Sequence, residues 1–274
     1  MRVLVLSDMH LEEAPFAIDR TVLKKIDAVI LAGDISPGSA GIGWARREFA
    51  DVPVIYVAGN HEFFQGDFDR TLDDLREAGH RHEVHFLENE SVIIGKVKFL
   101  GCTLWTDLNY FGEQHRDAIL EKVVHWMPDY SEISVNSADG TSLLSPHHTL
   151  RRHFNSLAWL EGELSIDTGF SNVVVTHHFV NKKSCARIFA KDLMTAAFGS
   201  NVGLQLLLRA NMWVHGHTHS SSNYRIGDSR KNVRVICNPR GTPFDWLADE
   251  FENQRFDPRM CMGLSDDGQW GAVT

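Results

Sequence analysis

The 274-residue sequence predicts an α/β fold, and three observations carry that prediction. Short apolar runs alternate with helix-like segments through the first third of the chain, as in βαβ units. Five runs rich in β-branched residues, at 3–6, 28–32, 54–58, 173–176 and 212–215, lack polar alternation, as expected of parallel strands buried on both faces. Each of the five ends in a polar cluster: Asp8-Met9-His10, Gly33-Asp34, Gly59-Asn60-His61, His177-His178 and Gly216-His217-Thr218-His219. Ligands in α/β folds collect where strands end.

Taken in order, residues 2–6 read as a strand, 15–25 as a helix, 28–31 as a strand and 39–50 as a helix. Residues 54–57 then read as a strand and 68–78 as a helix. Residues 91–94 and 97–104 flank Gly95-Lys96, a tight hairpin, so the sheet is expected to be mixed rather than purely parallel. From residue 107 the alternation breaks. A helix-like piece at 113–126 is followed by a polar stretch at 131–145 containing Ala138-Asp139-Gly140. A long irregular segment of this kind is uncommon without a function, and 107–170 reads as an insertion capping the site. Phe154, Leu157, Leu160 and Leu164 give 148–164 a core-facing helical stripe. A strand at 172–176, a helix-rich stretch at 185–209, a strand at 212–215 and a hairpin from 223–226 to 233–237 follow. The last stretch of about 20 residues has weak periodicity and receives no element. Cutting the chain would cut the set of clusters, so residues 1–274 read as one domain.

A net charge of −9 argues against binding long nucleic acids, though not against a small phosphorylated substrate held through cations. Cys102, Cys185, Cys237 and Cys261 are far apart and form no C-x-x-C pair, so no disulfide framework is expected. No apolar run reaches the ~18 residues of a membrane span. A cytoplasmic protein without a membrane partner is the expectation; the oligomeric state is not readable.

The clusters offer carboxylates, an amide and imidazoles without thiolate, a set suited to Mn, Fe, Zn, Co or Ni. Asp8 and His10, two apart at a strand end, share a side, and His217 and His219 repeat that spacing. Asp34 follows a glycine at a sharp turn, where its two oxygens could bridge two ions. Asn60 adds an amide oxygen and His177 an imidazole. Seven such ligands with one shared carboxylate leave open positions on each ion, as catalysis requires. Two ions about 3.5–4 Å apart would hold a hydroxide and clamp a phosphoryl group.

Ser7-Asp8-Met9-His10, Gly33-Asp34, Gly59-Asn60-His61-Glu62, Thr176-His177-His178 and Gly216-His217-Thr218-His219 together resemble the signature of the calcineurin-like metallophosphoesterases. The resemblance implies a four-layer α/β/β/α sandwich of two mixed sheets and a dinuclear centre. One ion would be held by Asp8, His10, Asp34 and His219, and the other by Asp34, Asn60, His177 and His217. It also implies phosphoester hydrolysis through a metal-bridging hydroxide, with manganese expected first and Fe, Zn, Ni or Co as alternatives. His61 takes the family position of a non-ligand histidine that contacts phosphate and assists the leaving group; support of a ligand is its alternative role. A small phosphodiester or nucleotide is the expected substrate. A phosphomonoesterase acting on a small molecule or a protein is the alternative, and a catalytically silent metal-binding scaffold is the alternative of another class.

Arg240, after a strand, has the reach of a bidentate phosphate donor, with a surface or structural ion pair as the competing role. His178 follows His177 and points elsewhere, to substrate or to structural support. Asp107, with Trp105 and Thr106, follows a strand end and could line the rim. His80, His82 and His85 read as a solvated turn, His147 and His148 as a helix start, and Arg46 and Arg47 as a solvated face.

Overall fold

The computed structural model describes residues 1–138, 140–244 and 250–273, so Asp139 of the polar stretch lies outside the described residues. Three of the apolar runs form β1 (Arg2–Leu6), β2 (Ala28–Ala32) and β3 (Val54–Val57), joined in parallel with Leu4 opposite Val29 and Ile30 opposite Ile55. Helices α1 (Arg20–Leu23), α2 (Ala40–Phe49) and α3 (Phe68–His82) lie between or after them. The short β4 (His85–Phe86) adds to β3 in parallel. β5 (Glu90–Ile94) and β6 (Val97–Cys102) make the expected hairpin, turning at Gly95 with φ +59°.

The segment that breaks the alternation is ordered rather than irregular. It holds α4 (Arg116–Trp126), α5 (Asp129–Glu132), a hairpin of β7 (Ser134–Ser137) with β8 (Gly140–Leu143), and α6 (Pro146–Ser165). Ser145 and His148 cap α6 reciprocally, so His148 is a capping side chain. β9 (Ser171–Thr176), α7 (Leu204–Leu207), β10 (Met212–His215), β11 (Ser222–Gly227) and β12 (Asn232–Cys237) follow, and β13 (Cys261–Leu264) and β14 (Trp270–Val273) close the described chain.

The strands form two mixed six-stranded sheets, ordered β14-β13-β1-β2-β3-β4 and β11-β12-β10-β9-β6-β5. The period-2 alternation of side chains explains the layering. Val3, Val5, Ile30, Ile55 and Val57 of the first sheet meet Val97, Phe99, Val173, Val175 and Val214 of the second in one cluster between the sheets. The intervening residues Leu4, Leu6, Val29, Leu31 and Tyr56 face outward onto Ile42, Ala45 and Phe49 of α2 and Leu72 and Leu75 of α3. Leu100, Val174, Trp213 and Val235 face the other way, onto Leu160 and Leu164 of α6 and Leu206 and Leu207 of α7. Each central strand is apolar on both faces because it lies between two layers. The architecture is the four-layer α/β/β/α sandwich.

Five expectations need correction. Only Arg20–Leu23 of 15–25 is helical, because the carbonyls of Ala14, Pro15 and Phe16 accept side-chain donors from Arg240 and Trp44. In the 185–209 stretch, Leu193–Ala197 is a 3-10 turn and Leu204–Leu207 a single short helix. α3 runs past residue 78 to His82, which puts His80 and His82 on its last turn rather than in a loop. The C-terminal residues supply two antiparallel strands to the edge of the first sheet beside β1. Arg46 does not lie free on the α2 surface: it donates to the carbonyls of Ala50, His82 and Glu83. No helix among the described residues is long and apolar enough to cross a membrane.

Candidate metal centre

The C-terminal ends of β1, β2, β3, β9 and β10 lie together, and hydrogen bonds lace their loops to one another. Asp8 N donates to Gly33 O at 2.9 Å, His10 N to Asp34 O at 3.1 Å and Gly216 N to His177 O at 2.9 Å. Asp8, His10, Asp34, His217 and His219 all adopt positive φ, between 42° and 68°. This left-handed region is sparsely used by residues with a Cβ, although Asp, Asn and His enter it more readily. The chain accepts that strain where it swings five side chains inward from the strand ends. Two glycines make room for the close approach. A Cβ at Gly59 would stand 2.1 Å from Asp34 Oδ1, and one at Gly216 would stand 2.7 Å from Asp8 Oδ2.

The seven candidate ligands converge. Asp8, His10, Asp34 and His219 place ligand atoms within 4.8 Å of one another, and Asp34, His177 and His217 do the same, with Asp34 in both groups. His177 Nδ1 donates to Ala32 O at 2.9 Å, which aims its Nε2 at Asp34 Oδ2, Asn60 Oδ1 and His217 Nδ1, each 3.2 Å away. His10 Nε2 and His219 Nε2 face each other at 3.0 Å. His61 lies beside the group. Its backbone N–H donates to Asp34 Oδ1 at 2.9 Å and its ring lies over Phe64 with centroids 4.3 Å apart.

Four carboxylates that sequence reasoning did not assign hold these groups in place. Glu12 receives His10 Nδ1 at 3.2 Å and His61 Nδ1 at 3.3 Å. Glu252 pairs with His219 Nδ1. Buried Glu62 accepts from the backbone N–H groups of Asp34, Ile35 and Gly59 and from the Tyr56 hydroxyl, at 2.6–3.0 Å. It ties the loop after β2 to the loop after β3. Asp129 of α5 accepts from Asn60 Nδ2 at 2.8 Å. Glu62 lies in the quoted Gly-Asn-His-Glu cluster and Glu12 two residues past His10, so proximity in sequence could have flagged both. Asp129, from α5, and Glu252, from a loop, are remote in sequence and left no such signal.

The electrostatics centre on the Asp34 carboxylate. Burial would raise the Asp34 carboxyl, but His177 and His61 hold it well below the usual carboxylate range. Burial would lower His177, yet Asp34 raises it to about 10. His61 likewise resists burial and rises to about 9 because of Asp34 and Glu12, so it is cationic at neutral pH. Burial together with His178 and His177 pushes His217 well down, leaving a neutral imidazole with a lone pair.

The remaining sequence candidates take other places. Arg240 is buried, and its guanidinium donates to the carbonyls of Met9, Ala14 and Pro15 while lying 4.0 Å from the Phe251 ring centroid. It staples the loop after β1 instead of pointing at substrate. Asp107 closes a local turn by accepting from Asn109 N at 3.0 Å, and its own N–H donates to Ser200 Oγ. His178 is buried, donates from Nδ1 to Thr103 O at 3.2 Å and packs on Trp105. Burial and the neighbouring His177 lower it to about 3, so it is neutral.

Whether a metal suits these residues can be judged from atoms left without partners. Asp8 Oδ2 and His217 Nε2 are buried and make no hydrogen bond. Buried polar atoms are almost always paired, and imidazole nitrogens facing each other need a proton or a cation between them. The nitrogen and oxygen donors suit first-row transition metals, and the residues fit such ions.

Comparison with known proteins agrees with this geometry. The family model for calcineurin-like phosphoesterases matches residues 1–221. The crystal structure of a phosphopantetheinyl hydrolase from Mycobacterium tuberculosis is similar in fold, with 19% identity and a TM-score of 0.66 over 89% of this chain and 93% of that one. A Staphylococcus aureus structure described as a 5'-nucleotidase in complex with alpha-ketoglutarate aligns at 16% identity and a TM-score of 0.49. That alignment covers 100% of this chain but 52% of the other, so this chain spans about half its length. No curated protein matches the sequence. The family match takes in most of the chain and all five strand-end clusters, and the chain belongs to the calcineurin-like phosphoesterases, hydrolases of phosphoric esters.

Proposed function

We propose that this chain is a phosphodiesterase acting on a small phosphodiester or nucleotide through two metal ions. Asp8, His10, Asp34 and His219 would hold one ion and Asp34, Asn60, His177 and His217 the other. Manganese is the first expectation, with Fe, Zn, Ni or Co as alternatives. When bound, the ions supply Lewis acidity toward phosphate oxygens and lower the pKa of coordinated water.

The protein side chains do the rest. The strained strand ends and the Glu62 latch fix Asp34 and Asn60 before substrate arrives, which supplies preorganisation. Glu12 holds His61 by Nδ1, so His61 carries its second proton on Nε2, where a leaving oxygen could take it. Burial opposes that proton, and the neighbouring Asp34 and Glu12 carboxylates outweigh burial and hold it.

The observation that carries the diester preference is the placement of Arg240. A monoester dianion brings one more negative charge than a diester, and arginine is the usual counterpart for it. Here Arg240 is committed to three carbonyls. Among the described residues no lysine or arginine side chain hydrogen-bonds to the side chains of the seven ligand candidates. His61, held at Nδ1 by Glu12, would offer its Nε2–H to substrate, and a single such donor suits a monoanionic diester. The four cysteines are free thiols, which supports a reducing, cytoplasmic setting.

The test is steady-state hydrolysis of bis-p-nitrophenyl phosphate and p-nitrophenyl phosphate by manganese-reconstituted enzyme. The proposal expects the higher kcat/KM for the diester. A preference for the monoester would make the chain a phosphomonoesterase. No turnover of either under Mn, Fe, Zn, Ni or Co would leave the scaffold reading.

A further inference from the structure

Asn60 is the candidate ligand whose chemistry alone does not settle which atom it presents. Its amide oxygen and nitrogen are alike in size, and a half-turn of the side chain exchanges a metal-binding lone pair for two N–H groups. The exchange is decided by whatever receives the NH2. In this fold that partner is Asp129, whose Oδ1 accepts from Asn60 Nδ2 at 2.8 Å. Both side chains are buried, so water does not compete for either position. With the nitrogen held there, Asn60 Oδ1 faces His177 Nε2 at 3.2 Å, beside Asp34.

Asp129 is itself held firmly. It opens α5, inside the segment that interrupts the βα alternation, and that segment is stitched to the turn following His61. Gln65 N donates to Glu132 O at 2.8 Å and Ser134 N to Gly66 O at 2.9 Å. Tyr130, Ile133 and Leu144 of the same segment join the core outside the first sheet, with Phe63 and Phe68. The carboxylate therefore cannot follow Asn60 through a half-turn.

From this geometry we infer that Asp129 is a positioning residue: it locks the amide of Asn60 with its oxygen toward the second ion, making loading of that ion depend on the inserted segment. The inference rests on the dinuclear reading proposed above. Partners that orient a metal ligand typically change metal affinity by about 10- to 100-fold when removed. An isosteric Asp129→Asn substitution keeps the volume but can give Asn60 either a donor or an acceptor, so both amide orientations become satisfied.

The experiment is titration of metal-free protein with manganese(II), followed by calorimetry, for the parent, Asp129→Asn, Asn60→Ala and the double variant, with melting curves to establish folding. The parent is expected to show two sites. Asp129→Asn is expected to keep one and weaken the other by about 10- to 100-fold, and to add nothing on top of Asn60→Ala. Asp129→Ser gives the same readout if the isosteric variant does not fold. Exchanging the pair, Asn60→Asp with Asp129→Asn, is expected to regain the second ion, because the new amide donates to the new carboxylate. A two-site parent whose Asp129→Asn variant binds both ions equally tightly would overturn the inference alone, as would additivity in the double variant. A parent that takes up fewer than two ions would overturn the dinuclear reading first.

Discussion

His10 and His219 aim their Nε2 atoms at each other across 3.0 Å, and each keeps a carboxylate on its Nδ1, Glu12 for the first and Glu252 for the second. A carboxylate behind an imidazole fixes its tautomer and orientation and raises its basicity as a ligand. Glu252→Gln is therefore expected to lower manganese affinity at one site by about 10- to 100-fold while leaving the melting temperature of the metal-free protein nearly unchanged. Metal retained after dialysis against a weak chelator measures it.

The Glu62 carboxylate receives three backbone N–H groups and one hydroxyl in a dry setting. Glu62→Gln turns an amide NH2 toward at least one donor and is expected to cost on the order of 3 kcal/mol. Tyr56→Phe removes a single donor and is expected to cost about 1 kcal/mol. Urea denaturation of the metal-free proteins separates the two. Equal losses would mean that Glu62 does not serve as the latch between the two loops.

Gly59→Ala forces a Cβ to 2.1 Å from Asp34 Oδ1 and 2.7 Å from Asp34 N, and backbone cannot give way as a flexible side chain can. Loss of about 2–3 kcal/mol and of both metal uptake and hydrolysis is expected. Gly162→Ala in α6 meets no atom within 4 Å and is expected to gain about 0.5–1 kcal/mol by helix propensity. Thermal melts of the pair check that packing at the strand ends, not glycine replacement as such, is responsible.

His153 supplies a pH dependence away from the candidate ligands. It is buried in α6 and donates from Nδ1 to Leu104 O at 3.1 Å; burial lowers its pKa, against the pull of Asp107. The folded form therefore resists a proton that the unfolded chain accepts near pH 6.5. Stability should be full above that pH and fall as the pH drops below it, by at most about 1.4 kcal/mol per pH unit from this group. His153→Gln keeps an N–H donor without the charge and should flatten the slope of unfolding free energy between pH 6.5 and 5. An unchanged slope would show that His153 is not the group responsible.

The parts legible in the sequence share one physical cause. Parallel strands covered on both faces need unbroken apolar runs, so Val3–Leu6 and its counterparts announced themselves, and their polar ends followed directly. The seven candidate ligands and His61 were visible for that reason. What escaped depended on tertiary contact. Asp129 reaches Asn60 from 69 residues away and Glu252 reaches His219 from 33 away, and both look in sequence like ordinary surface acids. Arg240 stood where a phosphate donor would stand, yet three carbonyls of the loop after β1 claimed it, and two of those same contacts stopped α1 from starting at Pro15. The last two strands are four residues each and contain glycine, too short for a periodic signal.

His61 tests the division of labour at the site. His61→Asn should leave metal uptake intact, because His61 is not among the proposed ligands, and should slow hydrolysis most for diesters with poor leaving groups, by about 100-fold or more. A series of aryl and alkyl phosphodiesters measures the dependence on the leaving group's pKa. The same loss for every leaving group would remove His61 as the proton donor.

The central claim is that one carboxylate, Asp34, serves two ions at once. Elemental analysis of manganese-loaded parent and Asp34→Asn protein, each paired with bis-p-nitrophenyl phosphate hydrolysis, tests it most directly. The account predicts two ions and turnover for the parent, with loss of tight binding at both sites and of activity in the variant. A parent holding a single ion, or an Asp34→Asn variant that keeps two ions and its activity, would contradict it.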